Sequence, residues 1–159
     1  MGTLIANGGA PATPPADDGK PITNDGFWPD VDLAQMRQST RLTGNVTAER
    51  LRASVIEAML FVNDQLAVFR AQKMAEGWES AADIGDTLAG ASHLVHRYLR
   101  AVASTVQADL AEKYRDFDST RVGDLRADHE SLAADDFRRN ATWAIADILG
   151  RPRNVVELI

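Results

Sequence analysis

The sequence has no cysteine and no uncharged apolar run of membrane-spanning length. The first absence excludes disulfide bonds and thiolate chemistry. No cation precedes Lys20, and no compact apolar stretch near the N-terminus resembles a signal peptide, so we expect a soluble, non-secreted chain. The 17 basic residues are outnumbered by 23 acidic ones, which gives a net charge of −6. This balance argues against tight wrapping of nucleic acid, which depends on cations that displace counterions from phosphate.

Catalytic motifs are also missing, since the sequence contains no phosphate-binding glycine loop, HExxH, CxxC or GxSxG pattern. The three histidines are His93 and His96, spaced i, i+3, and the distant His129. Such a pair holds a metal ion only if a third ligand converges on it, and the sequence assigns none. We therefore predict a chain that is not an enzyme and has no metal or cofactor, with a helical metalloenzyme built on the three histidines as the weaker alternative.

Helical periodicity dominates the residues between about 30 and 150. It predicts a short helix over 32–42 and long helices over 48–76, over 87–115 and from about 123 up to Gly150, with Thr47 as an N-cap. No internal segment alternates with period two for long enough to form a strand. We expect an all-α bundle of three long helices plus a short N-terminal helix, flanked by an extended N-terminal arm and a strand-like C-terminal tail.

Residues 1–29 hold five of the six prolines and five of the eleven glycines. A segment of this composition does not fold alone, so we predict a flexible extended arm. The arm ends in Phe27, Trp28 and Pro29, two large aromatic residues followed by a rigid turn residue. These three residues are candidates for binding a partner, and the alternative is that the aromatic pair closes the core of its own domain.

The other end of the chain gives the strongest pattern. Gly150 and Pro152 are typical of a helix stop, and an apolar stretch follows them. Because an exposed apolar tail is costly in water, we expect it to dock on its own core, on a neighbouring subunit or on another protein. The predicted organisation is an arm over 1–29, a helical bundle domain over 30–150 and a docking tail over 151–159. The candidate tail residues are Arg151, Pro152, Arg153, Val155, Val156, Leu158 and Ile159.

Several segments together resemble one known family. They are FWPDVD (27–32), RLR (50–52), RAV (100–102), EKYRDFDSTRVGDLRAD (112–128) and WAIADILGRPRNVVELI (143–159). In order and spacing they are similar to the head completion, or head stabilisation, proteins of contractile-tailed temperate phages, the GpL family. The resemblance runs from about Phe27 to Ile159, and residues 1–26 match nothing in it.

The resemblance implies a virion protein that joins the neck after DNA packaging. It would attach under the portal ring, help retain the genome and provide a platform for tail joining. By analogy with other head–tail adaptors it would form a homo-oligomeric ring, a dodecamer, around the DNA channel, with its tail reaching into the portal. Its partners would be the portal, downstream neck or tail proteins and DNA held without sequence-specific binding, with no membrane. It would occupy the host cytoplasm during assembly and the virion neck afterwards.

A second function stays open on the residues alone. The adjacent Arg138 and Arg139, in an all-α chain, are compatible with a small DNA-binding packaging factor of the terminase small subunit type. Asp135 and Asp136 precede them, separated only by Phe137, which favours a solvated or salt-bridged helix face. We also expect the free protein to be mostly monomeric in dilute solution.

Overall fold

The computed structural model describes residues 20–40, 46–115 and 123–152, with side chains from 20 to 113 and from 134 to 152 within those ranges. These residues form five α-helices, one 3-10 turn and one two-stranded hairpin. The helices are α1 (Leu33–Thr40), α2 (Ala48–Gln65), α3 (Ala67–Ala75), α4 (His93–Arg115) and α5 (Gly123–Ile148). The 3-10 turn is Ala81–Asp83, and the strands are β1 (Thr87–Leu88) and β2 (Ala91–Ser92). The protein is mostly helical, as the periodicity predicts.

Helix α4 lies at the centre of the described structure and packs against three other helices. Helix α5 runs antiparallel to it, and the Arg97 guanidinium donates to the Asp147 carbonyl at 2.9 Å. Helix α2 lies on another side, where the Ser54 hydroxyl donates to Asp109 at 2.7 Å. The end of α1 reaches α4 through the Gln107 amide. The buried faces repeat with the helical period, and their apolar members on α2 and α4 include Leu51, Val55, Ala58, Met59, Val62, Leu94, Tyr98, Val102, Val106 and Leu110.

The predicted helix over 48–76 is divided at Leu66 into α2 and α3. Thr47 caps α2 as predicted, because its hydroxyl oxygen accepts from the Arg50 amide at 3.3 Å. Leu66 leaves the helical conformation with φ −102° and ψ 4°, and its amide is shared between the carbonyls of Val62 and Asn63. No glycine or proline marks this position, so tertiary packing is the cause. Residues on both sides of the break contact the N-terminal segment.

The predicted helix over 87–115 begins at His93 instead of Thr87. Thr87 to Ser92 form a tight hairpin whose two loop residues, Ala89 and Gly90, have positive φ values of 50° and 83°. Positive φ at both central residues is the geometry that matches the twist of antiparallel strands. The expectation of no internal strand is therefore wrong at this one place, where Leu88, inside the predicted helix over 87–115, is 72% exposed.

Residues 20–29 belong to the predicted flexible arm, but they pack against the helices. Ile22 and Val31 exchange two backbone hydrogen bonds, of 2.8 and 3.0 Å, and both side chains are buried. The Phe27 carbonyl accepts from the amide of Ala81 at 2.9 Å. Residues 1–19 lie outside the described residues, as does the strand-like stretch expected over 154–159.

Gly85 lies just before the first strand of the hairpin, and its replacement gives a first prediction. It has φ +76°, and a Cβ placed on it would overlap the imidazole ring of His93. We expect Gly85→Ala to lower the free energy of unfolding by about 1.5 to 2.5 kcal/mol, because backbone strain acts together with displacement of the His93 ring. Urea denaturation followed by circular dichroism measures this change.

Gly77→Ala is the matched control, because Gly77 has φ +95° and no atom within 4 Å of the added Cβ. It should cost only the backbone strain, about 1 kcal/mol. Equal losses for the two variants would show that the His93 ring makes no contribution at Gly85.

Candidate interaction surface

Phe27 and Trp28, predicted to bind a partner or to close the core, lie in the core of their own chain, each 2% exposed. Trp28 is stacked between Tyr98 of α4, with ring centroids 4.8 Å apart, and Phe69 of α3, at 6.2 Å. Phe27 meets Trp28 edge to face at 5.0 Å. In this conformation the two aromatic side chains bind three parts of the chain together. They are not available to a partner, whereas Pro29 beside them is half-buried.

The turn before the aromatic pair is formed by Asp25 and Gly26. One carboxylate oxygen of Asp25 accepts from the amides of Phe27 and Trp28, both at 3.0 Å. The other oxygen pairs with Arg70 of α3 at 3.2 Å. Gly26 has φ +87°, which a side chain would disfavour. This local chemistry turns the two aromatic rings into the body of the protein.

Three polar side chains close a ring of hydrogen bonds beside the aromatic stack. Asn24 Nδ2 donates to the Tyr98 hydroxyl at 2.8 Å, and that hydroxyl donates to Asn63 Oδ1 at 2.7 Å. Asn63 Nδ2 completes the ring by donating to Asn24 Oδ1 at 2.9 Å. Burial raises the pKa of Tyr98 well above its ordinary value of 10.0, against the opposing effect of the Asn24 hydrogen bond. We call these residues the Asn24–Asn63–Tyr98 triad.

The C-terminal end of α5 confirms the predicted helix stop. Gly150 has φ +65°, and the Arg151 amide donates to the Ala146 carbonyl at 2.9 Å, a contact that ends the helix. Arg151 and Pro152 are exposed. The remaining candidate tail residues, Arg153, Val155, Val156, Leu158 and Ile159, lie outside the described residues.

An apolar outer face on α2 and α3 was missed by the sequence analysis. Ile56, Leu60 and Phe61 are 38%, 54% and 49% exposed, and Val68 is 82% exposed. The buried residues of α2 repeat with the helical period, but Ile56, Leu60 and Phe61 lie off that stripe. The available signal was therefore a helix that is apolar on both sides, which indicates a second packing surface.

Arg138 and Arg139, the adjacent arginines of α5, both form ion pairs with acidic side chains. Arg138 pairs with Asp135 at 2.8 Å and also with Glu112, and Arg139 pairs with Asp136 at 2.7 Å. The order of acidic and basic residues in the sequence favours a salt-bridged helix face over phosphate binding, and these ion pairs agree with that prediction.

The imidazoles of His93 and His96 approach the hairpin that precedes α4. His96 Nε2 lies 2.7 Å from the Leu88 carbonyl oxygen, and His93 Nδ1 lies 3.4 Å from that of Asp86. Within the described ranges no group of three or more metal-ligating side chains is found, and His129 lies among the residues whose side chains are not described.

Two open grooves flank α4. The α1 groove, of about 550 Å³, lies between α1, α4 and the segment around Pro21 and Asp30–Asp32. The α5 groove, of about 400 Å³, lies between α4, α5 and Phe61 of α2. No helix in the described part of the chain is long and apolar enough to cross a membrane. The arrangement presents exposed apolar surfaces and grooves, which suit the binding of other polypeptides.

Comparison with known families decides what kind of protein carries these surfaces. The model of the phage head completion protein (GPL) family matches residues 22–159. The chain belongs to this family. The match begins at Ile22, the first of the described residues that is buried in the core, and it includes the exposed end of α5 and the tail beyond it.

Two curated relatives agree with the family match. The head completion/stabilization protein of Escherichia phage P2 is 38% identical over 146 residues, covering 91% of this chain and 86% of the relative. The probable head completion/stabilization protein of Haemophilus phage HP1 (strain HP1c1) is 23% identical over 142 residues, covering 87% and 91%. No solved structure matches significantly. The chain is therefore a structural head completion protein of a phage, as its sequence resemblance predicts.

The triad gives a second prediction. Tyr98→Phe keeps the aromatic stack but removes a hydroxyl that accepts from Asn24 and donates to Asn63. We expect the free energy of unfolding to fall by about 1 to 2 kcal/mol, because two half-buried amide groups lose a partner. Urea denaturation measures the loss, and Thr142→Val, which removes an exposed hydroxyl, is the control with little effect. A loss no larger than that of Thr142→Val would contradict the structural role of the triad.

The raised pKa of Tyr98 also predicts a dependence on pH. Its contribution is constant below about pH 10, where the hydroxyl is protonated in both states. Above that value the unfolded chain loses this proton first, so the stability of the wild type falls as pH rises. Tyr98→Phe should show a shallower fall in melting temperature between pH 9 and pH 11, measured at about 0.1 M salt. Parallel curves for the two proteins would contradict the assignment.

Proposed function

We propose that this head completion protein is a connector in the neck of a tailed phage. It joins the portal end of the head after DNA packaging, retains the genome and provides a platform for tail joining. Twelve copies form a ring around the DNA channel, first assembling in the host cytoplasm and then remaining in the virion. Membership of the phage head completion family, with a match that extends to the last residue of the tail, is the observation that carries this proposal.

The C-terminal tail is the docking element for the portal or a neighbouring subunit. Helix α5 ends at Ile148, and the exposed Arg151 and Pro152 follow it. Beyond them Val155, Val156, Leu158 and Ile159 provide four apolar side chains within five residues. Burying each of them contributes about 1.5 to 3 kcal/mol, which supports a tail that binds tightly once it meets a complementary surface.

The body of the protein also carries features that suit a ring around DNA. The net charge of −6 disfavours adhesion to phosphate, which would hinder the passage of DNA through a channel. The exposed apolar side chains of Ile56, Leu60 and Val68 provide surface that association can bury. Both features support assembly with other proteins. The ion pairs of Arg138 and Arg139 give no support to the packaging-factor alternative.

A substitution in the tail tests the docking role. Leu158→Asp should weaken binding to purified portal at least about tenfold, because a charge replaces an apolar anchor. Binding is measured by interferometry on immobilised portal, with circular dichroism to confirm that the variant is folded. Negative-stain images of the mixture show whether rings form on the portal.

Leu88→Asp is the matched control, since Leu88 is an exposed leucine, 72% accessible, on the hairpin. It should bind portal as the wild type does. If Leu158→Asp binds as tightly as Leu88→Asp, the tail is not the anchor. Sizing chromatography of the free protein should give a monomer, and stable rings without portal would contradict the expected dependence on a template.

A further inference from the structure

The α1 groove begins where the N-terminal segment enters the described structure. Pro21, the second described residue, lines this groove of about 550 Å³. The other apolar side chains that line it are Val31, Met36, Leu99 and Ala103. Residues 1–19, which we call the outer arm, therefore join the protein at the wall of an open apolar groove.

The register of the N-terminal segment sets the direction in which the chain leaves this wall. Ile22 and Val31 form an antiparallel bridge, so Pro21 lies opposite Asp32, and both Pro21 and Asp32 line the groove. In such a pairing, the chain before Ile22 follows the path of the chain after Val31. The chain after Val31 enters α1, which forms one wall of the groove. The segment from Ile22 back to Lys20 therefore points along α1, and an outer arm that continues in this direction enters the groove.

The outer arm is long enough to fill the groove. The entrance lies near Leu99, because the neighbouring Tyr98 contacts the N-terminal segment. The far end lies near Gln107, whose amide donates to the Thr40 carbonyl at the end of α1. Leu99 and Gln107 are eight residues apart on α4, which is roughly 12 Å at about 1.5 Å per residue. The six residues from 14 to 19 extend up to about 20 Å at about 3.3 Å each.

The charges of the outer arm and of the groove are complementary. Asp17 and Asp18 carry the only charged side chains of the outer arm. Arg100 is exposed and is the only cation among the residues that line the groove. None of the ion pairs among the described residues includes it. Asp30 and Asp32, on the same rim, each already accept a backbone hydrogen bond. The outer arm thus supplies carboxylates for the one cation of the groove.

The residues before the two aspartates suit the floor of the groove. Pro14, Pro15 and Ala16 are apolar, as is a floor that includes Met36 and Ala103. Consecutive prolines favour an extended conformation before any contact is made, so ordering them costs little conformational entropy. The segment 14–19 therefore combines an apolar, preorganised part with an acidic part.

We propose that residues 14–19 dock in the α1 groove of their own chain, with the acidic pair beside Arg100. The short connection through Lys20 gives an effective concentration in the millimolar range, so weak contacts are enough to fill the groove. This inference goes beyond the proposed function and does not rest on it. The outer arm precedes the region matched by the family model, which starts at residue 22, and a partner that uses the groove must first displace it.

Disulfide trapping in the full chain tests the location of the outer arm. The sequence has no cysteine, so two introduced thiols are the only ones present. Ser39→Cys, at an exposed position on the α1 wall of the groove, is paired with Ala16→Cys. We expect an intrachain disulfide on mild oxidation, detected by the loss of both thiols and by migration as a monomer on non-reducing gels. The rate should be equal at about 2 µM and about 50 µM protein, as for an intramolecular reaction.

Ile56→Cys with Ala16→Cys is the matched control. Ile56 is 38% exposed and lies in a separate groove beside the same N-terminal segment. It is level with about Gln107 of α4, as Ser39 is, because the neighbouring part of α2 meets Asp109. The Ser39 pair should close at least about tenfold faster than the Ile56 pair. Circular dichroism of the reduced proteins confirms that both variants are folded.

Three outcomes would overturn the proposal. Equal rates for the Ser39 and Ile56 pairs would show that the outer arm does not prefer the α1 groove. Disulfide-linked dimers whose yield rises with concentration would assign the groove to the outer arm of a second copy. Faster closure of Ser39→Cys with Leu158→Cys than with Ala16→Cys would assign it to the C-terminal tail.

The charge contact has its own test in the protein that carries the Ser39 pair. Arg100→Glu should slow closure about threefold, whereas Arg50→Glu, at an exposed arginine of α2, should leave it unchanged. Adding Asp17→Arg and Asp18→Arg to Arg100→Glu should restore the rate, and failure to restore it would refute this contact. Portal plays no part in these assays. Loss of trapping with portal binding intact would therefore refute the docked outer arm alone.

Discussion

The Asn24–Asn63–Tyr98 triad, with the Trp28 stack beside it, is the constraint on which the described structure depends. It joins the N-terminal segment to α2 and α4 through three hydrogen bonds of 2.7 to 2.9 Å. Trp28 adds stacking contacts with α3 and α4. Each of these groups is buried or half-buried, so an unpaired member would be costly. The segment before α1 is thereby as much a part of the core as the helices.

The same contacts explain what periodicity predicted and what it could not. The inward stripe of α2, the Thr47 cap and the stop at Gly150 depend on neighbours within one or two helical turns, and all three are found in the structure. The break at Leu66 depends on distant residues, because Asn63 and Phe69 on either side of it meet Asn24 and Trp28. A hairpin that includes an alanine with positive φ is equally hard to predict from local preferences.

The features of the candidate interaction surface also differ in whether the sequence alone could predict them. A large aromatic pair beside a proline fits both a docking anchor and a core plug, and only the positions of Phe69 and Tyr98 distinguish them. The outer apolar face of α2 could have been read from Ile56, Leu60 and Phe61, since these residues lie off the buried stripe. The family was accessible from short motifs spread along residues 27–159, because they were taken together in their order and spacing, and the family match covers the same region.

The paired backbone hydrogen bonds between Ile22 and Val31 have a mechanical consequence. They close a loop that contains the turn at Asp25 and both buried aromatic rings. Tension applied to the chain before Ile22 therefore passes across the two hydrogen bonds directly to α1, and the loop is bypassed. The aromatic core is shielded from pulling on the N-terminus until that clasp opens.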